Sequence, residues 1–503
     1  MEALFGNLAF GFQVVLSAEN FLYCVLGVSV GMAIGVLPGI GPLATISLLL
    51  PITFSLDPIA SLIMLAGIYY GAMYGGSTAS ILVNLPGSAP SAVTCLDGYP
   101  LARQGRAGPA LLMTTIASFV GGTISIIILA AFAPLLAEVA MEFGSPEYFA
   151  LMSFALVMSA AVSGGSFIRS FGMVLLGVLV GLIGMDVNSG IQRFSFGMLQ
   201  LADGVNLVII AMGVFGVAEV CGRLSARLSG LEANEKVQHV TLRSMAPSRD
   251  DLSRSKWPIL RGTGIGSILG VLPGAGSTLA AFLSYATERR ISKEPERFGK
   301  GAMEGVAAPE AANNAAAQTA FIPTLTLGVP GDAIMALMLG ALLIHGISPG
   351  PEVMTTNHDL FWGLVASMWV GNLVLLILNI PLVAIWVSLL RIPYRLLYPA
   401  VILLVCLGVY SVKFSLLDVF MVAILGLFGL VFVRLKLEAA PLLLGFILGP
   451  LTELHFRRSM ILSRGSLDIF YERPVSAVFT TLTLVIIVLL VGRLIFTRSR
   501  AVA

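Results

Sequence analysis

Apolar residues dominate the chain in long runs, roughly at 22–53, 59–95, 109–133, 148–163, 171–185 and 205–221. A second series follows at 259–286, 302–346, 360–390, 398–412, 415–433, 440–451 and 476–496. A helix needs about 20 apolar residues to cross the hydrocarbon core of a bilayer, so several runs predict single spans. The longest runs contain Gly and Pro, so the helices there must break. The pattern predicts an all-α polytopic membrane protein with about 10–12 membrane segments.

The two series resemble each other. Residues 27–41 read GVSVGMAIGVLPGIG and 262–276 read GTGIGSILGVLPGAG, so Gly27, Gly31, Gly35, Pro38, Gly39 and Gly41 match Gly262, Gly266, Gly270, Pro273, Gly274 and Gly276. SILVNLPG ending at Gly87 answers TLTLGVPG ending at Gly331, and IASFVGG at 116–122 answers VASMWVGN at 365–372. The chain reads as a duplication. Residues 1–221 form a first half with a re-entrant hairpin near 22–53 and a broken span at 59–95. A basic linker covers 222–261. Residues 262–503 form a second half with a hairpin at 262–286 and a broken span at 302–346.

Charge placement orients the halves, because short loops rich in Lys and Arg stay in the cytoplasm. Residues 222–261 carry eight Lys and Arg, and 288–300 carry Arg289, Arg290, Lys293, Arg297 and Lys300, so the second hairpin is expected to enter and return on the cytoplasmic side. The flanks of the first, around Asn20 and Asp57, carry no basic residue. Arg103 and Arg106 follow the first NLPG, whereas 345–359 has no Lys or Arg. The halves are therefore expected to be inverted, as in many secondary transporters. The C-terminal side stays open, because the basic segment 453–473 and Arg498 with Arg500 both call for the cytoplasm across one span.

Irregular backbone inside lipid is tolerated where it lines a cavity or meets a ligand. Four such tips occur: LPGIGP at 37–42, NLPGSAP at 84–90, LPGAGS at 272–277 and PTLTLGVPGD at 323–332. Proline ends the entering helix and glycine lets the backbone turn close to a substrate. Helix N-termini at the tips would offer N–H donors and positive dipole ends to carboxylates, and freed carbonyls could hold a sodium ion. The residues expected to bind substrate or ion there are Pro38, Gly39, Gly41, Asn84, Pro86, Gly87, Pro273, Gly274, Gly276, Ser277, Pro330 and Gly331. Gly27, Gly31, Gly35 and their counterparts are better read as close helix contacts.

Polar side chains near the tips extend the candidate set. APEAANNAAAQT at 308–319 puts Glu310, Asn314 and Gln318 on one helical face, with Asn313 beside them. A carboxylate at that depth is costly without a role, though glue between helices is the competing explanation. Tyr70, Tyr74, Ser77, Thr78, Ser80 and Asn84 in the first half, and Thr324 and Thr326 in the second, could donate to carboxylates.

Composition agrees with a life in lipid: 503 residues, 57% apolar and 11% charged, with mean hydropathy +0.95, against about 25% charged in soluble domains. The net charge of +2 conceals segregation, since no Lys or Arg precedes Arg103 or falls between Gly301 and Leu390. Nothing suggests nucleic-acid binding. Cys24, Cys95, Cys221 and Cys406 lack CxxC spacing, and His239, His345, His358 and His455 lack metal spacing. The sequence holds no GxxxxGK[ST] or HExxH, so neither an enzyme nor an organic cofactor is expected. With Glu2 and Glu19 and no basic n-region, the N-terminus does not read as a cleaved signal, and a mature start near Met1 is expected.

GVLPGIGP, GVLPGAGSTLAAFLSY, PEAANNAA, IPTLTLGVPGD and ILSRGSLDIFYERP in this order resemble the large membrane subunit of the tripartite tricarboxylate transporter family, over nearly the whole chain. The resemblance implies a bacterial inner-membrane permease importing small carboxylates on a sodium or proton gradient. It also implies two partners, a small membrane subunit and a periplasmic solute-binding protein. The competing reading is a passive anion channel.

Overall fold

The computed structural model describes residues 2–37, 41–163, 166–186, 189–198, 201–218, 220–222, 241–274, 276–390 and 394–502. Among the described residues the fold is all-α, with one two-residue β-ladder joining Gly184–Met185 to Gln192–Arg193. Seven helices among the described residues are long and apolar enough to cross a membrane: Ala18–Val36, Pro58–Val83, Ala107–Ala140, Ser145–Val162, His358–Asn379, Leu416–Arg434 and Pro474–Gly492.

Helix α1 (Glu2–Val15) was not expected from the apolar runs, because Gly6, Asn7, Gly11 and Gln13 interrupt it. It packs along the helix His358–Asn379, and Gly11 lies against the Trp362 carbonyl, where a Cβ would not fit. Beyond it, α2 (Ala18–Val36) and α3 (Pro42–Thr53) divide the run 22–53. Pro38 and Gly39 lie outside the described residues. α4 (Pro58–Val83) starts where the Asp57 carboxylate accepts from the Ile59 N–H at 3.0 Å and ends at Asn84, whose φ of 53° is left-handed. It is apolar all round and buried almost throughout, as expected of a central helix. α5 (Ala92–Arg103), α6 (Ala107–Ala140), α7 (Ser145–Val162), α8 (Phe167–Gly181) and α9 (Leu207–Ala211), which runs on as a π-helical turn over Met212–Val217, complete this part.

Next come α10 (Arg249–Val271) and α11 (Gly276–Ile291). The stretch expected to be linker up to residue 261 is thus helical from Arg249, because Ser248 and Asp251 form a reciprocal capping box there. Arg261 in the middle of α10 pairs with Glu288 near the end of α11 at 2.6 Å, clamping the two helices together. The segment 302–346 breaks into α12 (Glu304–Thr319), α13 (Phe321–Leu327) and α14 (Ala333–Ile344). α13 ends at Gly328 with φ 66°, the position that Asn84 holds after α4. The remaining long helices are α15 (His358–Asn379), α16 (Tyr394–Lys413), α17 (Leu416–Arg434), α18 (Ala440–Leu462) and α19 (Pro474–Val502).

Close helix pairing follows the glycine pattern. On α2, Gly27, Gly31 and Gly35 face the backbone carbonyls of Met64, Ile68 and Ala72 on α4, and on α10, Gly262, Gly266 and Gly270 face those of Ala308, Ala312 and Ala316 on α12. At each position an added Cβ would collide with backbone. Lipid chains are as apolar as leucine, so close approach of small residues is the main attraction available between such helices.

The basic segment 453–473, which begins within α18, carries structural pairs. Arg457 bonds Glu453 at 2.6 Å and Asp186 at 3.1 Å, Arg193 joins the same two carboxylates, and Arg473 pairs with Glu147. These arginines hold α18 and α19 to the 184–193 ladder and α7, so their presence is explained by packing as well as by topology.

Candidate functional site

All four tips contribute residues to one place. A cavity of about 450 Å³ is lined by Gly41 and Pro42 before α3, by Pro86–Pro90 after α4, by Gly276–Thr278 at the start of α11, and by Asp332–Ile334 at the start of α14. Phe215 and Ala440 also line it. A second cavity of about 580 Å³ shares Ala89, Gly276, Thr278, Asp332, Ala333 and Ala440 with the first, and reaches Ser159 and Ser163 of α7 and Glu438. Together they form one continuous recess between the tip-bearing helices and the outer helices α7, α9 and α18.

The backbone of the tips explains their residue types. Gly274 and Gly276 have φ of 82° and 62°, in the left-handed region. The Gly274 N–H donates to the Gly331 carbonyl at 2.8 Å, tying two tips together. Gly87 lies against the Gly35 carbonyl and the Gly76 Cα, and Gly331 lies against the Gly270 carbonyl and Ala320. Both are packed from behind by their own hairpin. Gly41 caps α3 and is open, since a Cβ there would meet nothing nearer than the Gly87 carbonyl oxygen at 3.9 Å.

Helices α3, α11 and α14 all begin at the recess; α3 and α11 present N–H groups and positive dipole ends to it, whereas the N-terminus of α14 is already capped by a carboxylate. Among the described residues, no Lys, Arg or His lines either cavity. Two acids do, Asp332 and Glu438. The Asp332 carboxylate accepts from Ile334 N and Met335 N at 3.0 and 2.9 Å, capping α14, and from the Tyr69 hydroxyl at 2.9 Å.

Of the residues singled out from the sequence, Gly41, Pro86, Gly87, Gly274, Gly276 and Ser277 line the recess. Pro273, Pro330 and Gly331 are buried at the tips without lining it. Thr324 and Thr326 donate to Ala320 O and Ile322 O, one turn back within their own helix, and Asn84 is an exposed cap. Asp332, Ser88, Thr278, Ser159 and Ser163 were missed. For Asp332 a signal existed, since an acid just before an apolar run marks a helix N-cap.

Ser77, Thr78, Glu310, Asn313 and Asn314 are buried away from this recess, at the junction of α4, α5, α6 and α12. The Thr94 hydroxyl donates to Glu310 Oε1, and Asn314 Nδ2 donates to Ser118 Oγ at 2.7 Å. Nearby, the Tyr74 hydroxyl donates to Asn372 Oδ1, while Asn372 Nδ2 donates to Thr123 Oγ1 at 3.0 Å. Tyr70 donates to the Ser367 carbonyl at 3.3 Å, and Ser80 to those of Gly76 and Ser91.

Among known proteins, the model of the tripartite tricarboxylate transporter TctA family matches residues 21–444. An uncharacterized 52.8 kDa protein in the TAR-I ttuC' 3' region of Agrobacterium vitis is 50% identical over 477 residues, covering 95% of this chain and 94% of its own length. A second uncharacterized protein, in the TAR-II ttuC' 3' region of the same organism, is 54% identical over 224 residues, covering 44% of this chain and 93% of its own. No solved structure matches. With a family match across most of its length and a multi-pass helical fold, the chain belongs to the TctA family, the large membrane subunit of tripartite tricarboxylate transporters.

Proposed function

We propose that this chain is the permease of a binding-protein-dependent secondary transporter that carries small organic carboxylates across the bacterial inner membrane by alternating access. The convergence of the tips on one recess carries the reading. The N-termini of α3 and α11 open there, and they can bind carboxylate oxygens without a basic side chain. The recess is also acidic, through Asp332 and Glu438, so an anion entering it gains if a cation accompanies it. This favours coupling to a sodium or proton gradient.

The duplication and its inversion belong to the same proposal. The equivalent glycine contacts of α2 on α4 and α10 on α12, and the matching left-handed caps at Asn84 and Gly328, support two related halves. The recess lies between the tip-bearing helices and α7, α9 and α18, so sliding of one group past the other would expose it to alternate sides. A small membrane subunit and a periplasmic solute-binding protein are the partners that family membership implies.

Paired cysteines at Ser163 on α7 and Thr278 on α11, both of which line the recess, test the motion. Crosslinking them is expected to stop uptake and reduction to restore it. Undiminished transport in the crosslinked protein would count against alternating access, and equilibration without accumulation would identify a passive channel.

A further inference from the structure

The buried carboxylates of this protein fall into two kinds. Asp97 is saturated: Oδ1 accepts from the N–H groups of Gly299, Gly301 and Ala302 at 2.8–2.9 Å, and Oδ2 accepts from the Tyr285 hydroxyl at 2.9 Å. Such a group ties α5 to the segment before α12 and needs nothing more. Glu310, 1% exposed, is different. Thr94 serves Oε1, but Oε2 has no hydrogen-bond partner, and no cationic side chain pairs with the carboxylate among the described residues.

The unfilled positions around it are mostly oxygens. Asn314, one turn along α12, spends its Nδ2 on Ser118 Oγ and the Glu310 carbonyl, leaving Oδ1 unpartnered. The Asn313 side chain has neither amide atom bonded, and the Ser77 hydroxyl, also unpartnered, faces the carboxylate from α4. All are at most 2% exposed. An ionised carboxylate at this depth, met by the Thr94, Ser77 and Ser118 hydroxyls but by no cation, is strongly unfavourable. Water could bridge some of these atoms but would bring no charge. A proton would satisfy a single oxygen. A small hard cation answers the charge and several oxygens together.

We propose that Glu310, Asn314 and Ser77, with Asn313 beside them, form a sodium-binding site at the junction of α4 and α12, separate from the tip recess. The sequence pattern pointed to tip carbonyls for such an ion, whereas here side chains supply the oxygens. The site's role in coupling rests on the transport reading; its occupancy does not.

Thermal unfolding of the purified full-length protein, titrated with sodium chloride against choline chloride at constant ionic strength and without substrate, tests it. The wild type is expected to show a saturable rise in midpoint with sodium. Glu310→Gln keeps the shape and the Thr94 contact, and is expected to lose the rise while unfolding no earlier than wild type in choline. Asn314→Ala and Ser77→Ala, which keep the carboxylate, are expected to need more sodium for the same rise, and they decide the matter if Glu310→Gln does not fold. A wild type indifferent to sodium would overturn the site, as would a rise that follows pH alone, or one retained in Glu310→Gln at the same half-saturation. Because no substrate or partner is present, failure of transport in vesicles would leave this result standing, and the reverse also holds.

Discussion

The Tyr69 hydroxyl donates to Asp332 Oδ2 at 2.9 Å, linking the middle of α4 to the N-cap of α14 across 263 residues of chain. The other carboxylate oxygen caps α14 through Ile334 N and Met335 N. Asp332 thus serves both as a helix cap and as a charge on the recess wall. Substitution can separate these roles, because Asn caps about as well as Asp, whereas Ala costs about 1 kcal/mol. Asp332→Asn is expected to unfold within about 0.5 kcal/mol of wild type and Asp332→Ala about 1 kcal/mol earlier, as read by thermal unfolding in detergent. Equal losses in both variants would mean that the charge, rather than the cap, holds this corner together.

Gly41 offers a clean probe of the recess. Its φ of −68° suits any residue and a Cβ there has room, so Gly41→Ala is expected to leave stability unchanged while reducing uptake. Undiminished uptake would show that substrate does not approach this backbone.

Gly87 and Gly331 behave differently, because both are packed from behind. A Cβ at Gly87 would overlap the Gly35 carbonyl, and one at Gly331 would press on Ala320 and the Gly270 carbonyl, each at 3.2 Å. Leucine at either position is expected to abolish transport while the protein still inserts, since the apolar spans are untouched. Loss from the membrane fraction would mean that these glycines serve assembly first.

The glycine ladders predict matched effects in the two halves. Gly31→Ala and Gly266→Ala each place a methyl against a facing backbone carbonyl, of Ile68 and Ala312 respectively. Overpacking of this kind costs about 1–3 kcal/mol, and the two losses should be similar when compared by thermal unfolding.

At the polar end of α10, Arg106 bonds both oxygens of Asp251 at 2.6 and 2.8 Å, and Ser248 adds two more donors. Burial pushes the Asp251 carboxyl up, but Arg106 and Ser248 outweigh it and hold the group below the usual carboxylate range. Its contribution is therefore fully present above about pH 4 and is lost as pH falls through the depressed value. Because the Arg106 side chain is 38% exposed, screening limits the pair to about 1 kcal/mol or less. The stability difference between wild type and Asp251→Asn should shrink on acidification and with added salt; a difference constant from pH 7 to pH 3 would contradict this.

Much of the fold was legible because breaks and glycine ladders leave strong local signals. The positions of α2 with α3, α10 with α11, and the interruptions at 84–91 and 328–332 follow from Pro and Gly. α1 was not legible, since its apolar residues gain a partner only when α15 is in place. Gly41, Pro86, Gly87, Gly276 and Ser277 were found as recess residues because the tips repeat. Ser159 and Ser163 could not be found, because α7 meets the recess through tertiary packing alone. Thr324 and Thr326 looked like donors, yet in a helix their hydroxyls bond back to the preceding turn.

Uptake of labelled di- and tricarboxylates into vesicles containing this chain, its small membrane partner and its solute-binding protein, with and without an inward sodium or proton gradient, tests the central claim most directly. Gradient-dependent accumulation that is weakened by Gly41→Ala is the predicted result. Equilibration without accumulation in an intact complex, or accumulation indifferent to both gradients, would contradict it.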